Sequence, residues 1–216
     1  MFTPDKIIDV ITFYIPFLFA LCFHEYAHGW TAQKLGDNTA QVMGRLTLNP
    51  MAHIDWVGTV VLPIMAILMP GIPLFGWAKP VPVNSRNLEN PRTGMFWVAL
   101  AGPLSNILLF LVGLGFLAFI LKQNGFEPSL QMQKMVFTFL ALNLYLAFFN
   151  LLPIHPLDGG KVLARFLPLK WDLWLESKQD VLSMILLLLV ILGGLRILAL
   201  PVDWILREAV GLVERL

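Results

Sequence analysis

Two histidines and a glutamate stand at helical spacing near the start of this sequence. His24-Glu25-Tyr26-Ala27-His28 follows the pattern HExxH. Residues four apart on an α-helix share one face, so both imidazoles can reach one metal ion. Glu25 lies one residue along, where its carboxylate can take a proton from a water molecule. A catalytic zinc site has three protein ligands and one open position, so one ligand remains to be found.

Asp158 is the best third ligand. A second apolar segment is followed by a loop that two prolines break, and this loop contains a histidine as well as Asp158. The pair Gly159-Gly160 after it permits a sharp turn. The alternative for Asp158 is a solvated aspartate at a helix end. The alternative for HExxH is a chance match, or two histidines satisfied in a polar helix seam. Ionisable side chains beside an apolar segment are costly without a function, so metal binding is favoured.

The elements that must position these residues are hydrophobic. Of the 216 residues, 57% are hydrophobic and 13% are charged, and the mean hydropathy is +0.73. An ordinary soluble domain carries roughly 25% charged residues. The net charge of +1 and the lack of basic blocks alternating with aromatics speak against a nucleic-acid partner. The single cysteine, Cys22, excludes an internal disulfide and a cysteine-based zinc cluster.

Several apolar segments are long enough to cross a bilayer, which needs about 17 to 25 residues. We therefore expect an integral, multi-pass membrane protein surrounded by lipid. The predicted spans are Ile7–Phe23, Met95–Leu121, Met135–Leu152 and Val181–Leu200.

Three further segments complete the predicted architecture. Prolines and glycines interrupt Val57–Trp77, which favours a re-entrant hairpin. Trp204–Leu216 is typical of an amphipathic surface helix. In Gln41–Asn49, β-branched and apolar residues occur in partial alternation, which predicts a short strand. Its edge either pairs with an extended substrate or belongs to an ordinary loop.

The predicted fold class is an all-α polytopic membrane protein. It has about four full transmembrane helices, a re-entrant hairpin and a short membrane-associated β segment. We expect a single membrane-embedded domain over residues 1–216. Its core covers residues 4–165, and the C-terminal span and surface helix cover residues 180–216.

The two motifs together resemble those of the site-2 protease family of intramembrane zinc metalloproteases. The resemblance rests on HExxH and on N-x-x-P-x-x-x-x-D-G, supplied by Asn150, Pro153, Asp158 and Gly159. It also extends through Gly44–Pro50, Gly76–Pro82 and Ala101–Asn106. PDZ and CBS domains, which many relatives carry, do not occur in the sequence, so we expect a compact member of the family.

The resemblance implies a function and a set of site residues. His24, His28 and Asp158 are expected to hold one zinc ion per chain, with Glu25 as the catalytic acid and base. Asn150 is expected to hold the substrate or the transition state. The expected reaction is hydrolysis of peptide bonds in or near transmembrane segments, and the expected partner is a membrane protein with a single spanning helix.

Other residues and functions are weaker candidates. His53 and His155 are alternatives to Asn150 as donors to the oxyanion, but each is better interpreted as a loop residue or as a group that supports a metal ligand. Ser105 and Asn106 are interpreted as helix-packing residues. The alternative function is a non-catalytic membrane binding or chaperone-like protein that retains the protease scaffold. A transporter is a third alternative. Retention of Glu25 counts against the non-catalytic alternative, because a structural zinc ion needs no base.

A shared ion restricts the topology. Both motifs lie at the C-terminal ends of their spans, so those two spans must run parallel and Met95–Leu121 must cross between them. Nine lysines and arginines then lie on the side of the motifs and six on the other. The excess of positive charge predicts that the active site is toward the cytoplasm.

Overall fold

Helices account for most of the described chain. The computed structural model describes residues 4–69, 75–123, 128–194 and 196–215. Within these ranges a turn of 3₁₀-helix occurs at Pro50–Ala52 and another at Ser85–Asn87, and a stretch of π-helix, Trp56–Val61, precedes α3. The α-helices are α1 (Pro4–Lys34), α2 (Thr39–Val42), α3 (Leu62–Leu68), α4 (Pro91–Leu121), α5 (Leu130–Asn150), α6 (Asp158–Ala164), α7 (Leu169–Ser177), α8 (Gln179–Ile191) and α9 (Arg196–Glu214).

Local sequence explains where the long helices begin. Asn90 precedes α4, and its side chain accepts a hydrogen bond from the N–H of Thr93. Pro91 occupies the first helical position, where its missing N–H costs nothing. Ser129 caps α5 in the same way by accepting from the N–H of Met132. Each cap satisfies a helix-end donor that would otherwise have no partner.

Three helices, α1 over Lys6–Lys34, α4 and α5, are long and apolar enough to cross a membrane. Phe19 of α1 stacks edge-on with Phe139 of α5 at 5.9 Å between ring centroids, and Lys134 lies 3.5 Å from Asp9. From the Asp9–Lys134 pair to the Phe19–Phe139 pair, residue numbers increase along both helices, so α1 and α5 run parallel. They therefore have the relative direction that a shared ion requires.

Helix α4 runs antiparallel between these two spans. His28 of α1 contacts Val98, whereas His24 contacts Asn106. The apolar interior lies between α4, α5 and α9, where Phe110, Leu140 and Val202 form part of one buried cluster. Many other apolar side chains of the spans point outward, as expected for surfaces that face lipid.

The predicted β segment is wrong, and with it the predicted fold class as stated. Among the residues that the structure describes, no β-strand occurs, and the segment Gln41–Asn49 begins inside α2. The N–H groups of Gly44 and Arg45 donate to the carbonyls of Gln41 and Ala40, so local turns use the groups that a sheet would pair. Gly44 has a φ of +64°, the left-handed conformation that ends a helical turn. Partial alternation of apolar and polar residues indicated a strand, but the described part of the chain offers no neighbouring strand for it to pair with.

The C-terminal span also differs from the prediction. The expected span Val181–Leu200 is broken: α8 ends at Ile191, α9 begins at Arg196, and the two axes are bent by 68°. Counted as one broken span, the pair would bring the number of candidate spans to four. Val202 and Val210 of α9 are buried in the cluster on α4 and α5, so this helix packs against the bundle.

The segment Val57–Trp77 is described in part. Trp56–Leu68 is an apolar helix shorter than a full span. The turn of the predicted hairpin, residues 70–74, lies outside the described residues. The N–H of Trp77 donates to the carbonyl of Gly58 at 3.2 Å, and Thr59 Oγ1 donates to the carbonyl of Trp77 at 2.8 Å. The segment therefore returns to the helix turn at which it began.

Candidate metal centre

Three potential metal ligands meet where α1, α4 and α6 come together. Nε2 of His24 and Nε2 of His28 are 3.0 Å apart, and each lies 3.2 Å from Oδ2 of Asp158. These residues are the one group of at least three potential metal ligands found in the described part of the chain. All three are buried, with exposed fractions of 7 to 9%. The two imidazoles come from successive turns of α1, and the carboxylate comes from the first residue of α6.

A buried amide network orients the ring of His24. The side-chain nitrogen of Asn106 donates to the carbonyl of Ala20 at 3.2 Å and to Oδ1 of Asn143 at 2.9 Å. Its Oδ1 therefore faces Nδ1 of His24, at 2.6 Å, as an acceptor. The Nδ1 atom must carry the proton, which leaves Nε2 free to bind a metal. Such an outer partner fixes both the tautomer and the direction of a ligand histidine.

Helix α4 supplies a backbone partner for His28. Nδ1 of His28 donates to the carbonyl of Val98 at 2.6 Å, so its Nε2 is also unprotonated in the neutral ring. The rings lie directly against Gly102. A Cβ atom at Gly102 would be 2.4 Å from Nε2 of His28 and 2.6 Å from Cε1 of His24. Only a glycine lets α4 approach the two rings this closely.

The donor set fits a zinc ion. With both Nδ1 atoms protonated, two nitrogen lone pairs and a carboxylate oxygen converge on one point, and Oδ2 of Asp158 is buried without a hydrogen-bond donor. Convergent acceptors repel one another unless a cation lies between them. Tetrahedral zinc with bonds of about 2.0–2.1 Å places its ligands about 3.3–3.4 Å apart. The observed separations of 3.0 to 3.2 Å are close to that requirement.

Electrostatics keeps Asp158 ionised. Burial alone raises the pKa of its carboxyl group, but the positive charge and the donors that His28 and His24 supply when they are protonated lower it, and the lowering prevails. Whether protons or a metal cation supply the positive charge, Asp158 is a carboxylate and can act as a ligand. Arg92 at the start of α4 holds the end of α6 by donating to the carbonyl of Ala164 at 3.0 Å.

The carboxylate of Glu25 lies beside this cluster in the same cavity. The cavity measures about 650 Å³, and His24, Glu25, His28 and Asp158 all contribute to its wall. Glu25 is 8% exposed, and its Oε2 accepts a hydrogen bond of 2.7 Å from the backbone N–H of Val81. A partly enclosed space next to a carboxylate and three metal-ligand side chains can hold water and a peptide group.

The remaining predicted residues lie at different distances from the cluster. Asn150 lines the same cavity, and its side-chain nitrogen donates to the carbonyl of Leu146 at 3.0 Å. His53 is fully buried, but its Nε2 is 2.7 Å from the carbonyl of Thr47, so it belongs to the loop after α2. His155 is buried in the loop before α6, and burial lowers its pKa. Neither His53 nor His155 belongs to the group of three.

Two groups at this centre, Asn106 and the backbone N–H of Val81, are not predicted as site groups from the sequence. Asn106 was interpreted as a packing residue, although it contacts a predicted ligand. The signal for Asn106 was its position in a small-residue stretch of an uncharged span, where a buried amide needs partners. No sequence signal identifies the N–H of Val81 as a partner of Glu25.

Comparisons with known proteins find zinc metalloproteases among the relatives of this chain. The family description "Peptidase family M50" matches residues 124–193, which include Asp158. The "Putative zinc metalloprotease YwhC" of Bacillus subtilis is 40% identical over 158 residues, 71% of this chain and 68% of that protein. The "Putative zinc metalloprotease Rip2" of Mycobacterium tuberculosis is 35% identical over 143 residues, 66% of this chain.

The matches cover only part of the relatives. The alignment spans about half of Rip2, 52% of its length. The "Zinc metalloprotease MJ0392" of Methanocaldococcus jannaschii is 30% identical over 89 residues, 41% of this chain and 24% of that protein. No solved structure matches the chain.

Proposed function

Because the chain belongs to peptidase family M50, the site-2 protease family of zinc metalloproteases, we propose that it is an intramembrane endopeptidase. It would hydrolyse peptide bonds in or beside the bilayer with one zinc ion per chain. The single observation that carries this proposal is the triangle of His24, His28 and Asp158 with Glu25 beside it.

The depth of the site supports a position within the membrane. His24 lies 18 residues after Lys6 on an unbroken helix, which corresponds to roughly 27 Å along the axis. The hydrocarbon core of a bilayer is about 30 Å thick. If the start of the α1 span lies at one face, the triangle lies near the opposite face and still within reach of a spanning substrate.

Each residue has a defined role in the proposed reaction. His24, His28 and Asp158 would hold the zinc ion, which polarises the scissile carbonyl and makes water a better nucleophile when it is bound. Glu25 would accept the proton of the attacking water and deliver it to the leaving amine. The second N–H of the Asn150 amide would donate to the oxyanion, since the other is held by Leu146.

An apolar cavity supports a membrane-embedded substrate. This cavity of about 280 Å³ adjoins the cavity of the centre, because Phe75, Gly76, Leu146 and Phe149 line both. Phe13 and Phe17 of α1 form part of its wall. Such a surface suits the apolar side chains of a single transmembrane helix next to the scissile bond. With α8 and α9 counted as one broken span, nine basic residues lie on the side of the centre and six on the other side, and this excess supports a centre that faces the cytoplasm.

The proposal is tested with purified protein in lipid nanodiscs. Bound zinc is measured per chain, and a single-span peptide is incubated with the wild type, with Glu25→Gln and with Glu89→Gln as the matched control. Glu89 is exposed and lies outside the cavity. We expect one zinc ion per chain in all three proteins and cleavage by the wild type and Glu89→Gln only. Equal cleavage by wild type and Glu25→Gln would reject Glu25 as the base. Stoichiometric zinc without cleavage of any peptide would favour the non-catalytic alternative.

A further inference from the structure

An extended segment crosses the centre directly over Glu25. Residues 75–84 form neither helix nor strand, and Phe75, Trp77, Pro80 and Val81 line the cavity. The N–H of Val81 donates to Oε2 of Glu25 at 2.7 Å, and Val81 is 8% exposed. Pro80 and Pro82 have no N–H, so Val81 presents an isolated backbone donor to the carboxylate.

Residues before and after α2 hold this segment on both sides of Val81. On one side, the guanidinium of Arg45 donates from one nitrogen to the carbonyls of Lys79 and Pro80, at 2.9 and 3.1 Å. On the other side, Oδ2 of Asp37 accepts from the N–H of Asn84 at 2.7 Å. The N–H of Lys79 also donates to the carbonyl of His53 at 2.9 Å. Hydrogen bonds therefore hold the backbone two residues before Val81 and three residues after it.

Close packing against α1 fixes the height of the segment above the helix. A Cβ atom at Gly29, one turn beyond Glu25, would lie 3.0 Å from Cγ1 of Val81. The glycine lets the side chain of Val81 rest on the helix surface. A donor held from three sides restricts rotation of the Glu25 carboxylate and leaves Oε1 to take the proton of water.

We propose that Arg45 is a positioning residue of the peptidase reaction, because it holds the N–H of Val81 on Glu25 through the carbonyls of Lys79 and Pro80. This inference rests on the proposed function, since it concerns the base of that reaction. Arg45 contacts neither the three metal ligands nor, in the proposed reaction, the substrate. Its effect is on the orientation of Glu25, and a misplaced base costs about 100-fold in rate for a displacement of about 1 Å.

The first test removes the donor itself. Val81→Pro deletes the N–H and puts a ring carbon in the place of the hydrogen that points at Glu25, so no hydrogen bond to the carboxylate can form. Val81→Ala keeps the N–H and removes only packing. With equal zinc content, we expect Val81→Pro to lower kcat about 10- to 100-fold with KM within about 2-fold of wild type. Val81→Ala should retain a higher kcat than Val81→Pro because its N–H still donates to Glu25, although it loses the packing of the Val81 side chain on Gly29. Equal kcat values for the two variants would overturn the inference.

The second test addresses Arg45. Arg45→Met should lower kcat like Val81→Pro, Arg45→Lys should restore part of the rate because an ammonium can still donate to one carbonyl, and Arg86→Met serves as the exposed control. Hydrogen exchange supplies a readout that does not depend on activity. Between two prolines, the Val81 amide is the only exchanging amide of residues 80–82. We expect it to exchange at least about 10-fold faster in Arg45→Met and in Glu25→Ala.

The outcomes separate this inference from the proposed function. Unchanged exchange at Val81 in Arg45→Met, or a kcat equal to that of Arg86→Met, would refute the role of Arg45. If Arg45→Met loses zinc, Arg45→Lys and Val81→Pro decide the question with the same criteria. If the wild type cleaves no peptide, the proposed function fails. Faster exchange in Arg45→Met and Glu25→Ala would even then establish that Arg45 holds Val81 on Glu25.

Discussion

Replacing Gly102 by alanine should abolish tight zinc binding. The added Cβ would lie 2.4 Å from Nε2 of His28 and 2.5 Å from its Cε1, whereas ordinary contacts are 3.4 to 4 Å. The ring would have to withdraw by about 1 Å, since α4 is packed against α1 over a long interface. Metal–ligand distances tolerate deviations of about 0.2 Å. We therefore expect zinc affinity to fall at least about 100-fold, or about 2.7 kcal/mol.

A second glycine of α4 provides the matched control. A Cβ atom at Gly115 meets nothing within 4 Å. Alanine is favoured over glycine inside a helix by about 0.5–1 kcal/mol, so Gly115→Ala should leave stability unchanged or raise it. Both substitutions make the same chemical change in the same helix. Helix propensity therefore predicts the same sign for both, and only contact with the imidazoles predicts opposite outcomes.

The assay is chelator competition followed by elemental analysis of the purified variants. Thermal unfolding in detergent, with and without added zinc, shows whether Gly102→Ala still folds. The expected result is a folded Gly102→Ala protein with little zinc and no peptidase activity, beside a zinc-loaded Gly115→Ala protein. Stoichiometric zinc in Gly102→Ala with wild-type affinity would show that the ligand rings do not lie against α4 as described.

Further substitutions test the surroundings of the centre. Asn106→Leu removes the acceptor for Nδ1 of His24 and should weaken zinc binding about 10- to 100-fold in chelator competition, with wild-type affinity as the contrary result. Asp37→Asn should lower the free energy of unfolding by about 1.5–3 kcal/mol at neutral pH, because the carboxylate accepts from Asn84 and Asn87. Burial acts to raise the pKa of Asp37, yet these hydrogen bonds and those from Thr39 lower the pKa below the usual value of an aspartate. Its stabilisation is therefore present above the unfolded pKa and lost as pH falls through the folded one. Chemical unfolding between pH 3 and 7 should show a smaller acid loss in Asp37→Asn, and identical pH slopes would contradict the assignment.

Periodicity and chain order were sufficient to predict the contact between the two motifs. The four-residue spacing of His24 and His28 defines one helix face, whatever surrounds the helix. The parallel direction of α1 and α5 followed from the requirement that Asp158 reach that face. Both are consequences of backbone geometry, which a single sequence expresses directly.

Contacts between distant segments were harder to predict. Asn106 looked like a packing residue because nothing in its neighbourhood names His24, 82 positions away, as its partner. Gln41–Asn49 looked like a strand because alternation reports which side chains face outward, but not whether a second strand is available. The break between α8 and α9 contains Gly193-Gly194, and Gly193 has a φ of +79°; hydropathy reports the apolar residues around the pair but not the bend of 68°.

The partners of the ligands suggest how such a centre is tolerated beside a bilayer. With Asp158 and Glu25 as carboxylates and neutral histidines, a zinc ion would leave the centre with no net charge. The groups behind the histidines are a neutral amide, Asn106, and a backbone carbonyl, Val98. Ligand histidines often donate to a carboxylate instead, which strengthens the ligand but adds a charge. In surroundings of low dielectric constant an unbalanced charge is costly. Neutral partners orient the rings without that cost, and Val81 does the same for Glu25 with a backbone N–H.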